Sequence, residues 1–493
     1  MSSDARTADR RLDLATTALV FVLAWGAFAP MLGAYWRHDD FGWQAIADEW
    51  QAGQRSLWYG HGGFTPAYNV LHRAIGLIGG RDPLAWRIVF TTMHAGIAVA
   101  VAWLCLLVTG SRAAAGWAGA FFALHWVHHE AIGWIAGGLH VPATLAAVLA
   151  VGCWIVGRGR ADRRWLASAI VLAALAPMLK ESGLAVFALI AAAELLLPLP
   201  RERGRSRWAI AGLGAALALY VALRLTVGVG GEVVPEGERI YRVGPHVIAN
   251  LAACVPQMIV SDLGFGNYRA LLAAALPQNA VEAAVVASRI GIGLVALGLV
   301  YLLVRGARAG CERRTGEDAR ATGGASRCRG ARVTGFAVAW MFLGFLPTSL
   351  FVYEFARAPR YLYLPSVGLA LLFGYAIAAA MQHWPRRRRP IVGLAALVLL
   401  ANLGPLALFT RSRLRDSVIR REIAQQLPQV LPDPRPGERI AVTGIPAHID
   451  DLPAMTWMLY GRKLDIITVR PGQAPSPADR ILRFADGRLS AAG

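Results

Sequence analysis

The sequence has few charged residues for its length. Of its 493 residues only 16% are charged, against 56% that are hydrophobic, and the mean hydropathy is +0.45. A water-soluble chain of this size carries about 25% charged residues. The composition therefore excludes an ordinary soluble protein and predicts an integral membrane protein with several membrane-spanning segments.

Acidic residues are scarcer than basic ones, and lysine is almost absent. The 50 Lys and Arg residues against 31 Asp and Glu give a formal net charge of +19, yet the lysines are Lys180 and Lys463 alone. The arginines stand in short segments between apolar runs, a pattern typical of membrane proteins. No basic groove with a nucleic-acid-binding motif accompanies them, so we expect no nucleic acid partner.

Cysteines are few, and the sequence shows no internal repeat. The five cysteines are odd in number and scattered, so they indicate neither a disulfide framework nor a zinc framework. A solenoid array is also not expected, because no repeated period is visible.

Eleven apolar runs approach or exceed the roughly 20 residues that a helix needs to cross a bilayer. They cover residues 13–35, 84–109, 113–128, 138–157, 165–180, 183–199, 207–229, 283–304, 333–352, 361–381 and 390–410. The expected fold is therefore an all-α polytopic membrane domain over residues 1–410. Short apolar runs at 439–445, 464–469 and 480–484 predict a small α/β appendage over residues 411–493.

The positive-inside rule gives these spans an orientation. If the N-terminus is cytoplasmic, the Arg-dense loops at 158–164, 201–207, 305–332 and 386–389 all fall on the cytoplasmic side. The loop 305–332 is polar and Gly-rich, as a flexible linker would be. The first outer loop, residues 36–83, and the appendage then lie outside. Ala-, Gly- and Arg-rich usage indicates a bacterial source, so we expect the inner membrane and a periplasmic outer face.

Two adjacent carboxylates, Asp39 and Asp40, stand at the start of the first outer loop in the stretch "WRHDDFGWQ". At a helix end in water such acids cost nothing, so a solvated loop end would also explain them. Two neighbouring carboxylates can instead share the work of a general base, one accepting a proton while the other balances charge. They would also serve as metal ligands, so a divalent metal stays open.

A second polar cluster, His125 to His140, contains His129 and Glu130. Its histidines resemble zinc ligands, but the spacing of a metalloprotease helix is missing, and histidines near the interface often only anchor a helix end. Glu130 is harder to explain in that way, because an acid between apolar spans is costly unless it faces water, a partner or substrate.

Two further clusters follow at the outer ends of later spans. Lys180 and Glu181 form either an ion pair that closes a helical hairpin or a phosphate site. Arg360 and Tyr361, in "APRYLYLP", either anchor a helix end or grip phosphate, since arginine suits phosphate oxygens.

Three stretches carry a family resemblance: "HHEAIGWIAGGLHVPATLAAVLA", "LKESGLAVFALIAAAELL" and "RYLYLPSVGLALL". In this order they resemble the membrane portion of the transmembrane and tetratricopeptide-repeat O-mannosyltransferases and their bacterial relatives. Those belong to the GT-C class of polyprenyl-phosphate-sugar glycosyltransferases, and the resemblance covers most of residues 15–405. It implies a membrane enzyme that moves a sugar from a polyprenyl-phosphate donor to an acceptor on the non-cytoplasmic face.

The resemblance also assigns residues to roles. It implies that Asp39 is the general base, assisted by Asp40, in a single displacement with inversion. Because a lipid donor has its phosphate at the membrane interface, we expect Lys180 and Arg360 to hold that phosphate. The remaining polar residues are expected to serve catalysis or to orient the acceptor or sugar: Glu130, His129, Glu181 and Tyr361. No cofactor is certain, and a divalent metal stays possible.

Other functions stay open at this point. The acceptor can be a protein, a lipid or a glycan. A transporter or flippase for a lipid-linked sugar would also need outer acids and arginines, although it should show internal repeats. A ligase or polymerase for pyrophosphate-linked glycans is the nearest enzymatic alternative, and a non-catalytic assembly factor is a third.

Overall fold

The structure is a computed structural model that describes residues 12–58, 63–199, 207–227, 242–259, 277, 280, 329–351, 358–435, 437–446, 449–469 and 478–491. All structural statements below concern these residues. The predicted span 283–304 and most of the predicted linker loop 305–332 lie outside them.

The described chain is mainly helical. Its α-helices are α1 (Leu14–Phe28), α2 (Asp39–Gln51), α3 (Pro66–Gly79), α4 (Pro83–Thr109), α5 (Arg112–Leu124), α6 (His129–Gly133), α7 (His140–Arg160), α8 (Arg163–Leu179), α9 (Ala185–Leu196), α10 (Arg207–Val227), α11 (Pro245–Ile259), α12 (Arg329–Ser349), α13 (Ser366–His383), α14 (Arg388–Val430) and α15 (Leu452–Tyr460). Short 3-10 turns occupy Ala29–Gly33, Trp126–His128, Ala136–Leu139, Glu181–Leu184, Pro359–Leu362 and Pro385–Arg387.

Helix boundaries follow from local sequence signals. α4 begins where Asp82 accepts a hydrogen bond from the backbone N–H of Leu84, with Pro83 in the first helical position. It ends at Gly110, which takes the left-handed conformation with φ 70°. Ser111 then caps α5. A continuous apolar region is thereby folded into two packed antiparallel helices.

Seven helical segments in the described chain are long and apolar enough to cross a membrane, and they contain α1, α4, α7, α10, α12, α13 and α14. The helices α5, α8 and α9 are shorter, with 13, 17 and 12 residues. Each predicted run other than 283–304 contains a helix. The several apolar helices are therefore confirmed, and the count of eleven spans stays a prediction.

Small residues let the membrane helices approach closely. A Cβ atom on Gly374 of α13 would lie 2.3 Å from the carbonyl oxygen of Ala114 in α5. A Cβ atom on Gly368 would lie 2.4 Å from the carbonyl oxygen of Ala337 in α12. Such backbone approach is typical of membrane helix pairs, where dispersion contacts replace the hydrophobic effect.

The C-terminal part forms a four-stranded sheet in the order β2-β1-β3-β4. The strands are β1 (Arg439–Thr443), β2 (Asp465–Thr468), β3 (Arg480–Ala485) and β4 (Arg488–Ala491). β1 runs parallel to β2 and β3, and α15 provides the crossover between β1 and β2. β3 and β4 form a hairpin through Asp486 and Gly487, both with positive φ, as an Asp-Gly turn requires.

The long helix α14 connects the two parts of the molecule. It has 43 residues, so the predicted domain boundary at residue 410 falls inside a continuous helix. α15 packs against α2, which begins at the acid pair of the first outer loop. The appendage therefore lies against the loop that carries Asp39 and Asp40.

We predict that Gly374→Ala destabilises the helix pair α5 and α13. The new methyl group has no space beside Ala114 and Ala118, and overpacking costs about 1–3 kcal/mol. The measurement is the thermal unfolding midpoint in detergent. Gly393→Ala in α14 is the matched control, because a Cβ there meets nothing within 4 Å. Equal midpoints for both variants would contradict the close approach.

Candidate functional site

A tight turn at residues 37–40 gives the two adjacent acids different environments. The backbone N–H of Asp40 donates to the carbonyl of Arg37 at 2.9 Å, and His38 between them has φ 45° and ψ −124°. These angles suit glycine at the second position of a type II′ turn, and a non-glycine residue there costs about 1–3 kcal/mol. The turn leaves Asp39 exposed at the start of α2 and buries Asp40.

Asp40 is fully buried and binds backbone rather than solvent. Its Oδ1 accepts a hydrogen bond from the N–H of Ala136 at 2.6 Å, and its Oδ2 accepts one from the N–H of Arg37 at 3.1 Å. Burial raises the pKa of Asp40 to about 6, although the positive charge of Arg87 and both hydrogen bonds act in the opposite direction. Asp40 thus fixes the loop, while Asp39 is the acid that reactants can reach.

Arg87 holds the same loop from α4. Its guanidinium donates to the carbonyls of Ala34 at 2.6 Å, Tyr35 at 2.9 Å and Gly133 at 3.1 Å. Sequence reasoning did not assign a role to Arg87. The available signal was an arginine one turn inside an apolar run, where a buried charge must find partners.

Glu130 and Arg360 form a largely buried ion pair. The guanidinium Nη1 lies 3.0 Å from Oε1 of Glu130, and the backbone N–H of Arg360 donates to Oε2 at 3.2 Å. Burial alone would raise the pKa of Glu130, but the charges of Arg360 and Arg37 and the hydrogen bond from the Arg360 amide hold that pKa below its usual range. Glu130 therefore stays ionised and orients Arg360.

Arg37 is a second buried guanidinium in this region, and sequence reasoning missed it. Arg37 is only 7% exposed, and its Nε and Nη1 atoms have no hydrogen-bond partner in the described chain. Its guanidinium carbon lies 4.9 Å from the ring centre of Trp134, and that of Arg360 lies 4.7 Å from the same ring. Burial lowers the pKa of Arg37 to about 9. Two cations on one indole, one of them lacking hydrogen-bond acceptors, suit an anionic ligand.

Lys180 and Glu181 lie beside Tyr361. The Lys180 ammonium is 2.9 Å from Oε2 of Glu181, and Oε1 accepts a hydrogen bond from the N–H of Phe64 at 3.0 Å. A cavity of about 30 Å³ is lined here by His140, Lys180, Glu181, Ser182, Pro347, Thr348, Phe351 and Tyr361. The Tyr361 hydroxyl in turn accepts from Arg360 at 3.4 Å. Lys180 and Arg360 are thereby joined through Tyr361.

His129 is packed rather than poised as a metal ligand. Its ring stacks on Phe409 of α14 at 3.8 Å between centroids, and its Nδ1 contacts the carbonyl oxygen of Trp126 at 3.0 Å. Burial lowers the pKa of His129 to about 4, so its ring is neutral. Within the described residues no group of three His, Cys, Asp or Glu side chains is arranged to hold a metal ion.

Residues 126–139 connect the expected site residues. This segment supplies Glu130 to Arg360, Trp134 to both guanidinium groups, and the amide of Ala136 to Asp40. Arg360, Arg37 and the buried carboxylate of Asp40 thus meet at a single segment. The arrangement can hold an anion, and the exposed Asp39 follows Arg37 by two residues in the turn.

The fold is similar to that of ArnT from Cupriavidus metallidurans in the apo state, with a TM-score of 0.52 and 13% identity over 91% of this chain and 84% of that one. ArnT bound to undecaprenyl phosphate gives a TM-score of 0.47 with 14% identity over 93% and 86% of the two chains. The oligosaccharyltransferase AglB from Archaeoglobus fulgidus, in complex with an inhibitory peptide and a dolichol-phosphate, gives a TM-score of 0.47. The identity is 14%, over 91% of this chain and 64% of that one.

No family model and no curated protein matches the sequence. ArnT and AglB are both GT-C glycosyltransferases. The likeness to apo ArnT, together with the apolar helices, confirms the expected GT-C-like fold of an integral membrane protein.

We predict that Asp40→Asn changes how stability depends on pH. The pKa of Asp40 is raised in the folded state, so its contribution is present below about pH 4 and is lost as pH rises through about 6. That loss amounts to at most about 3 kcal/mol. Between pH 4 and pH 7 the unfolding midpoint in detergent should therefore fall further for the wild type than for Asp40→Asn. Asp39→Asn, at an exposed position, should follow the wild type, and parallel profiles for all three proteins would contradict the assignment.

Proposed function

We propose that this protein is an integral-membrane glycosyltransferase that moves a sugar from a polyprenyl-phosphate donor to an acceptor at the non-cytoplasmic face. The observation that carries the proposal is the pair of largely buried cations, Arg37 and Arg360, beside the ring of Trp134, with the exposed carboxylate of Asp39 two residues after Arg37 in the turn. ArnT, whose fold this chain shares, has been crystallised with undecaprenyl phosphate. In this proposal the protein crosses a bacterial inner membrane with eleven spans. Its N-terminus is cytoplasmic and its appendage is periplasmic.

The donor phosphate is held by Arg37, Arg360 and Lys180. Two side-chain nitrogens of Arg37, Nε and Nη1, have no acceptor among the described residues, and Arg360 is oriented by Glu130. As the glycosidic bond breaks, negative charge grows on the phosphate oxygen, and fixed cations stabilise it most in the transition state. Glu181 positions Lys180, while Tyr361, which lines the same cavity and contacts Arg360, orients the sugar. His129 contributes by packing beneath Glu130.

Asp39 is the general base in this scheme. It takes the proton from an acceptor hydroxyl or amine, whose electron pair forms the new bond to the anomeric carbon. The bond from that carbon to the donor phosphate oxygen breaks, and its electron pair leaves with polyprenyl phosphate. Attack from the face opposite the phosphate inverts the anomeric configuration. Asp40 assists by fixing the turn that exposes Asp39.

We predict that Asp39→Asn lowers kcat by about 10²–10³, because removal of a general base costs about this much. The assay is transfer from a panel of labelled undecaprenyl-phosphate sugars in proteoliposomes. Asp48→Asn is the matched control, since Asp48 lies in the same helix and its carboxylate pairs, among the described residues, with Gln44 and Arg81. A folded Asp39→Asn protein with the wild-type rate would overturn the base assignment.

We predict that Arg37→Gln raises KM for the donor about tenfold or more while KM for the acceptor stays within twofold. A hydrogen bond to a charged group is worth about 1.5–3 kcal/mol, which corresponds to this range. Arg81→Gln is the control, because Arg81 is more than half exposed and pairs with Asp48. A change confined to the acceptor KM would assign Arg37 to the acceptor instead.

A further inference from the structure

We infer that Asp451, in the C-terminal appendage, is a positioning residue that holds the turn bearing Asp39; this inference deepens the proposed function and rests on it. Asp451 immediately precedes α15 and lies more than 400 residues after the turn in sequence. Its Oδ2 accepts a hydrogen bond from the backbone N–H of His38 at 2.8 Å. The residue before the proposed general base is therefore held by the appendage.

Asp451 is itself fixed by a buried ion pair. Its Oδ2 lies 2.6 Å from Nε of Arg420 in α14, and the two side chains are 1% and 3% exposed. A buried carboxylate paired in this way is rigid, because moving it would leave Arg420 without its counter-charge in a low-dielectric environment. The hydrogen bond to His38 thus starts from a fixed point.

His38 is the residue of the turn with the unfavourable backbone conformation. Its φ of 45° lies in the region that side chains other than glycine rarely adopt, so the free loop would relax away from it. The His38 ring meets Trp134 edge-on at 6.2 Å, whereas its Nδ1 lies 3.6 Å from the exposed Asp450 and 3.8 Å from Asp451, beyond hydrogen-bond distance, so the amide provides the hold. Relaxation at His38 would swing Asp39, the next residue, away from the cations around Trp134.

Other contacts from α14 support the same role. Ser417 accepts a hydrogen bond from the N–H of Tyr35 at 2.7 Å, and Arg421 donates to the carbonyl of Gly33 at 3.1 Å. The loop 33–38 is therefore held by α14 and the appendage as well as by Arg87 of the membrane part. The position of Asp39 depends on both parts of the chain.

The test is a double-mutant cycle between residues 451 and 38, read in the transfer assay with the full-length protein. Asp451→Ala should lower kcat at least tenfold at an unchanged donor KM. His38→Gly allows the turn without strain, so Asp451→Ala in the His38→Gly background should cost less than threefold. Asp450→Ala is the matched control, since Asp450 is 75% exposed, and it should stay within twofold of the wild type.

Equal losses in both backgrounds, or equal losses for the 450 and 451 variants, would overturn the inference. Hydrogen–deuterium exchange provides a readout that does not need turnover. Asp451→Ala should speed amide exchange in residues 33–40 at least tenfold and leave α7 unchanged. Unchanged exchange in 33–40 would overturn the inference whatever the activity, whereas a wild-type protein that transfers no sugar would overturn only the proposed function.

Discussion

The hydrogen bond from the amide of Ala136 to the buried carboxylate of Asp40 is the constraint on which the site depends. It joins residues 96 positions apart and fixes the first outer loop to residues 126–139. That segment also carries Glu130, which orients Arg360, and Trp134, whose ring lies beside two guanidinium groups. This bond therefore connects the acid pair to the segment that carries the cations, and Arg87, α14 and the appendage hold the same loop from other sides.

The electrostatics of the site favour an anionic ligand. Buried charges are costly unless they are paired. Arg360 is paired with Glu130, whereas the Nε and Nη1 atoms of Arg37 have no hydrogen-bond partner among the described residues. Burial lowers the pKa of Arg37 to about 9, which still leaves the guanidinium charged near neutral pH. A phosphate would supply the missing acceptors. In the proposed reaction these cations would meet the negative charge that grows on the leaving phosphate oxygen.

Hydrophobic run length was enough to predict several apolar helices, because a bilayer demands long apolar segments whatever they pack against, while the count of eleven spans stays a prediction. The sequence also indicated Asp39, Asp40, Glu130 and Arg360 as unusual groups. It could not assign different environments to the two aspartates, since the turn at His38 depends on Asp451 far along the chain. Arg37 was overlooked for the same reason. Arg37 stands out because two of its side-chain nitrogens have no hydrogen-bond partner among the described residues, and this is visible only in the packed structure.

A structure of the protein with undecaprenyl phosphate bound would show whether Arg37 and Arg360 hold the donor phosphate. We expect the phosphate within hydrogen-bond distance of both guanidinium groups, with the Asp39 carboxylate facing it across the space for a sugar. A phosphate bound instead in the open groove lined by Tyr35, Arg81 and Arg421, with Arg37 still unoccupied, would contradict it.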